Sequence, residues 1–237
     1  MKINHKQKGL SLIELMISLV VGLILIAAVF NMYAGNVRAA RFTEGLQAIQ
    51  ENGRYGVSVM RRGLQLAGYS PTPGLGNEID AIDIANSSAT RLVIQTYQPF
   101  DCSGNATTGT DGLAINTYEL DSDNNSLTCI GNQTDSTPIA LVEGVENFRV
   151  LYGVDDEDEA ACEPQRYVND PSALDSGDIA ALRFGMLISS VEPIRTRSRS
   201  DTFVVLDEQI TNTSDRLLRQ VFSGAVLLRN NPTCDAI

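Results

Sequence analysis

The chain has 237 residues and a formal net charge of −11, from 29 acidic and 18 basic residues. That length holds one long helix and one head domain but hardly two full globular domains, and so acidic a body is a poor general binder of nucleic acid. The single histidine, His5, lies in the first ten residues, which removes Ser-His-Asp and Cys-His catalysis in their usual forms from the rest of the chain.

The first element is a short basic segment, Lys2, Lys6 and Lys8, ending at Gly9. An apolar run begins abruptly at Leu10 and continues to about Ala34. Its stretch from Leu10 to Phe30 contains no basic residue, and about twenty such residues suffice to span the ~30 Å of bilayer hydrocarbon as a helix. Cationic short flanks stay cytoplasmic, so the chain beyond Ala34 is expected on the far side of the membrane. A secretory signal would have a shorter apolar core followed by a small-residue cleavage site. Here the small residue, Gly9, precedes the apolar run, and that order predicts processing on the cytoplasmic side with the helix retained. Within the run stands one acid, Glu14. A carboxylate at the bilayer centre costs roughly 2.5–3.5 kcal/mol on insertion scales, and such residues are functional candidates by default.

The helix is predicted to continue beyond the membrane. Leu46, Ile49, Gly53, Val57, Met60 and Leu64 recur at steps of three and four, the period of a core-facing helical stripe. Gly68 suits a helix C′ position, and Pro71 prevents continuation. A helix from Leu10 to Ala67 would run about 87 Å at ~1.5 Å per residue, too long for one globular core, so its first half must pack against lipid or other subunits. Gly45, Gly53, Gly56 and Gly63 each weaken it by up to ~1 kcal/mol, which favours close packing of the head or bending there.

After Gly68 the pattern changes to short runs of β character separated by polar turns. Strands are predicted at 90–97, 112–120, 126–130, 145–154, 179–190, 202–206 and 216–229, with Asp121–Asn125 as a turn between the second and third. Leu182, Phe184, Met186 and Ile188 alternate with smaller or polar neighbours and predict one buried face. No helix alternates with these strands, so the sheet should be largely antiparallel.

Four cysteines, Cys102, Cys129, Cys162 and Cys234, lack a C-x-x-C spacing, and in an exported chain they favour disulfides over zinc. Of three possible pairings, Cys102–Cys129 would close a hairpin-sized unit and is preferred, which leaves Cys162 for Cys234. The acidic run Asp155–Glu159 lacks the glycine of an EF-hand loop and reads as a solvated loop, so no metal or other cofactor is expected. Arg195, Arg197 and Arg199 recur at period two and are expected on a charged, solvated strand edge. There is no G-x-S-x-G elbow or phosphate loop, and no pair of carboxylates stands out, so the chain is not expected to be an enzyme.

The segment KGLSLIELMISL resembles the processing signal of type IV prepilins: a basic leader, a glycine, a hydrophobic first mature residue and a glutamate at mature position five. Leu10 departs slightly from the family, where Phe is commonest, and the proline usual near Asn31 in major pilins is missing. QENGRYGVSVMRRGLQLAGY, ENFRVLYGVDDEDE, IAALRFGMLISS and RLLRQVFSGAVLLRN follow the order found in minor pilins of this family. The resemblance implies an α+β, type IV pilin-like fold: a leader over 1–9, a long helix over 10–68 with its membrane and assembly part at 10–34, and a mainly antiparallel head over 69–237. It implies cleavage between Gly9 and Leu10 by the prepilin peptidase, N-methylation of Leu10, and pairing of Glu14 with the new amino terminus of a neighbouring subunit. Expected partners are other minor and major pilins, the peptidase, the inner-membrane assembly platform and membrane lipid, with no specific nucleic acid. The implied location is the inner membrane of a Gram-negative bacterium, amino terminus cytoplasmic and head periplasmic, and then the fibre at the cell surface. The implied roles are priming of pilus assembly, with a place at the tip, twitching motility, adhesion and DNA uptake. The alternatives are a type II secretion pseudopilin and a membrane-anchored periplasmic binding domain, the latter with 70–79 and 160–176 as recognition loops.

Overall fold

The computed structural model describes residues 11–71, 78–107, 112–155 and 163–231. The chain divides into two compact units, one ending at Glu44 and one from Gly45 onward.

The first unit is helix. It holds the amino-terminal part of α1, Leu12–Gln65, and its large apolar side chains from Leu12 to Tyr33 are solvent-facing, Leu12 at 79% and Phe30 at 68%. Each such side chain left in water forgoes ~1.5–3 kcal/mol of burial free energy. Ser18 and Asn31 within this stretch are satisfied locally. The Ser18 hydroxyl donates to Glu14 O at 2.7 Å and Asn31 Nδ2 donates to Ala27 O at 3.0 Å.

The second unit contains the rest of α1 and the described strands. Its helical face buries Ile49, Gly53, Gly56, Met60 and Leu64. The expected stripe is therefore shifted: Leu46 and Val57 are only half-buried, and Gly56 takes the central place because Val142 and Met186 approach it closely. The helix ends at Gln65, short of Gly68. Its last turn tightens, with Leu66 N–H donating to Gly63 O and Ala67 N–H to Leu64 O. Gly68 then adopts φ +76°, the left-handed conformation that lets a chain leave a helix. Asn230 Nδ2 caps the carbonyls of Gln65 and Ala67 at 3.1 and 3.2 Å.

The sheets are antiparallel. β1 (Arg91–Tyr97), β2 (Leu113–Asp121), β3 (Ser126–Ile130) and β4 (Ile139–Glu143) form a meander in that order. In the Asp121–Asn125 turn the Asp121 carboxylate accepts from Asn124 Nδ2 and from the N–H groups of Asn124 and Asp123, which holds its pKa below the usual carboxylate value. The second sheet takes β5 (Val145–Val154), β6 (Arg166–Val168), β7 (Ile179–Ser189) and β10 (Arg219–Leu227) in the order β10-β7-β5-β6. β8 (Thr202–Val205) and β9 (Glu208–Thr211) form a separate hairpin. The core includes Ile49, Met60, Leu92, Leu127, Phe148, Phe184 and Met186.

Three expectations change here. β4, β6 and β9 were not expected, being short and weakly alternating. β7 is buried on both faces except at Arg183 and Ser189, because the β8–β9 hairpin lies over its reverse side: a Cβ on Gly185 would sit 3.0 Å from Leu206 Cγ and Val205 Cγ1. The segment holding Arg195, Arg197 and Arg199 is not a regular strand. Arg195 and Arg199 instead converge on the Asp201 carboxylate, and the hydrogen bond from Arg195, followed by the charges of both guanidiniums, holds Asp201 below the usual carboxylate range.

Candidate functional site

The amino-terminal helix begins with a cap. Ser11 is non-helical, its hydroxyl accepts the Glu14 N–H at 3.2 Å, and its carbonyl accepts Glu14 and Leu15 N–H at 3.1 and 3.2 Å. Ser11-Leu12-Ile13-Glu14 has the S-x-x-E spacing of a capping box, a signal readable in the sequence that the emphasis on Glu14 alone overlooked. Glu14 sits in the first helical turn, where its negative charge opposes the positive end of the helix dipole. The cap uses its backbone N–H. The exposed carboxylate has no hydrogen-bond or ion-pair partner among the described residues. The site is thus an acid available at the start of an uncovered apolar helix, and this helix is long and apolar enough to cross a membrane.

Gly9 and Leu10 lie outside the described residues, as do Cys162 and Cys234 and most of the acidic run after Asp155. Parts of the two proposed recognition loops, 72–77 and 160–162, are outside them as well. Among the described residues no cluster of His, Cys, Asp or Glu is arranged to hold a metal ion.

In the head, Cys102 and Cys129 form a disulfide with Cα atoms 6.2 Å apart, tying the segment after β1 to β3. The next turn is built on Asp101, whose Oδ1 accepts Ser103 and Asn105 N–H at 2.9 Å each and whose Oδ2 accepts the Ser136 hydroxyl. Near the start of β10, Arg219 is nearly enclosed, its side chain 6% exposed, and pairs with Glu146 and Asp215. The Arg219 hydrogen bond is the chief reason Asp215 titrates below the usual carboxylate range. On the reverse of the second sheet, Arg149 pairs with Asp207 at 2.8 Å and Asn147 Nδ2 donates to Glu208 at 3.0 Å, fixing the β8–β9 hairpin.

Comparison with known proteins bears on both units. Residues 4–30 match the model of the prokaryotic N-terminal methylation motif. With a long apolar amino-terminal helix and an antiparallel head, this defines a membrane-anchored, pilin-like protein carrying a prepilin methylation motif. Residues 104–230 match the model of Type IV Pilus-assembly protein W, PilW, and the chain belongs to this family of minor pilins. Family membership implies interaction with other pilins in a pilus. Among solved structures, a type IV-like pilin from Thermus thermophilus is similar at 16% identity, covering 76% of this chain and 95% of its own, with a TM-score of 0.46. No curated protein matches the chain.

Proposed function

We propose that the protein is a structural, non-enzymatic subunit that is cut between Gly9 and Leu10, methylated at Leu10, and inserted into the fibre through its amino-terminal helix. In this reading it acts with other minor pilins to prime assembly and sits at the tip, serving twitching motility, attachment and DNA uptake. The precursor resides in the inner membrane of a Gram-negative cell with its head in the periplasm, reached by the prepilin peptidase and the assembly platform.

The observation that carries this proposal is the Glu14 carboxylate, free of any partner among the described residues, on a helix whose apolar side chains are uncovered. An ammonium on Leu10 of a neighbouring subunit would complement it. Opposite charges attract far more strongly in a low dielectric than in water, whereas either alone would be an uncompensated buried charge. The helix supplies the apolar area, and the charge pair supplies register.

The test compares Gly9→Val with Glu14→Ala in the parent bacterium, following precursor size, methylation and recovery in sheared fibres. Gly9→Val should remain a full-length, unmethylated membrane precursor. Glu14→Ala should be processed yet recovered in fibres at a small fraction of the wild-type amount. A mature-sized, normally incorporated Gly9→Val protein would sink the processing step, and equal incorporation of Glu14→Ala would sink the pairing step. Loss of exoprotein secretion with motility intact would instead assign the subunit to a secretion pseudopilus.

A further inference from the structure

Between the last turns of α1 and the first sheet lies a pocket of about 230 Å³, wholly within the head. Its walls bring together Arg62 and Gly63 of the helix, Thr96 of β1, Asn116 and Tyr118 of β2, and Asp101. Several of these polar groups lack a partner among the described residues. Thr96 is 1% exposed, yet its hydroxyl has no hydrogen-bond partner among the described residues. Asn116 is 5% exposed; its Oδ1 accepts Cys102 N–H at 2.8 Å, and its NH₂ has no partner among the described residues. Tyr118 is 4% exposed, and neither its hydroxyl nor the Arg62 guanidinium has a partner among the described residues. Burial pushes the Tyr118 phenol up to about 12, so it is a neutral O–H at physiological pH. The carboxylate on the wall, Asp101, is largely engaged: its Oδ1 accepts two turn N–H groups and its Oδ2 accepts the Ser136 hydroxyl.

The unspent capacity of the pocket is therefore mostly donor capacity: a guanidinium, a phenol, a hydroxyl and the amide NH₂ groups of Asn116 and Gln98, against the Gln98 side-chain carbonyl as the main acceptor. Buried polar groups are nearly always satisfied, and an orphan calls for an explanation. The volume exceeds the ~30 Å³ that one water occupies in the liquid. Gly63 supports the same conclusion. A Cβ there would lie 2.5 Å from the Tyr118 hydroxyl oxygen, so a glycine at this turn leaves the phenol room to reach the pocket.

We propose that this pocket is a binding site for a carboxylate group. Arg62 supplies the compensating charge, Tyr118 and Asn116 donate to the carboxylate oxygens, and Thr96 donates from the pocket floor. The carboxylate comes either from a free small acid or from a glutamate or aspartate side chain of another subunit. The site is independent of Glu14 pairing and of processing at Gly9.

The test is an NMR titration of the full-length chain in detergent micelles with acetate, blocked glutamate (N-acetyl, methylamide) and blocked glutamine. Saturable shifts of Arg62 Nε–H and the Asn116 side-chain amide with blocked glutamate, and none with blocked glutamine, are expected. Equal affinity for acetate would assign a free small acid, and preference for blocked glutamate a partner side chain. Tyr118→Phe with Thr96→Val should weaken binding about tenfold or more, since each removes a hydrogen bond to a charged group, while thermal stability stays level or rises because unpartnered hydroxyls are removed. If that double variant fails to fold, Arg62→Gln, on the exposed helix face, should show the same loss of binding. The absence of saturable shifts, equal binding of blocked glutamine, or wild-type affinity in the variants would overturn the proposal.

Discussion

Gly53→Ala sets two effects of opposite sign against each other. Alanine is the better helix former by ~0.8–1.0 kcal/mol, so on an open face the substitution would stabilise the protein. Gly53 is fully buried against β10, however, and a Cβ there would collide with Cε1, Cε2 and Cζ of the Phe222 ring at once. Phe222 is itself packed against the core and pairs in register with Met186 of β7, so the ring has little freedom to retreat. Overpacking of this kind costs ~1–3 kcal/mol. The net expectation is a destabilisation of about 0–2 kcal/mol, with the steric effect outweighing propensity. Urea unfolding followed by near-ultraviolet circular dichroism, which reads the ordered tyrosines and the disulfide of the head, would measure it. A double-mutant cycle isolates the cause: in a Phe222→Ala background the same Gly53→Ala change should turn neutral or stabilising. A single Gly53→Ala variant more stable than wild type by ~1 kcal/mol would refute the close-packing argument, as would a cycle with no coupling between the positions.

Replacing Cys102 and Cys129 together by alanine should cost ~3–4 kcal/mol, the chain-entropy value for a bridge between residues 27 apart in sequence; reducing and non-reducing melts of the wild type should differ by a similar amount. Asn230→Ala should lower head stability by ~1–2 kcal/mol in urea unfolding, because two helix-end carbonyls lose their donor. Asp215 is held below its ordinary pKa by Arg219 and Asp201 by Arg195, so both contribute stability above the unfolded carboxylate pKa that is lost as pH falls through their folded values. The head should thus weaken progressively below about pH 4, and Arg219→Gln should flatten that acid limb in melts across pH.

The amino-terminal element was legible because its information is local: the lysines, Gly9, the apolar run and Glu14 are contiguous, and hydropathy needs no knowledge of tertiary contacts. β3 and β5 begin and end where their alternation does, since each is bounded by turn residues. β9 was hidden because Glu208–Thr211 is polar and half-exposed, and its strand character comes from pairing with β8 and the Arg149 contact to the turn. The helix stripe was drawn through Val57 because Val57 carries a stronger hydrophobic signal than the adjacent Gly56. Gly56 faces the core by virtue of what the sheet brings to it, namely Val142 and Met186. The Thr96, Asn116 and Tyr118 pocket was illegible for a related reason. Each is a polar member of a strand that otherwise buries apolar residues, but only the β1–β2 register and the helix end show that they converge.

The Asn230 cap has a consequence for folding. The carbonyls it closes lie 165 and 163 residues earlier in the chain, and Asn230 follows closely on β10, which pairs with β7. Contacts of such sequence separation form slowly, so the carboxy end of α1 gains this donor only after nearly all of the head's sequence through residue 230 is in place. Closure of the helix end therefore reports completion of the head: the cap joins its first element to the residues that follow its last strand.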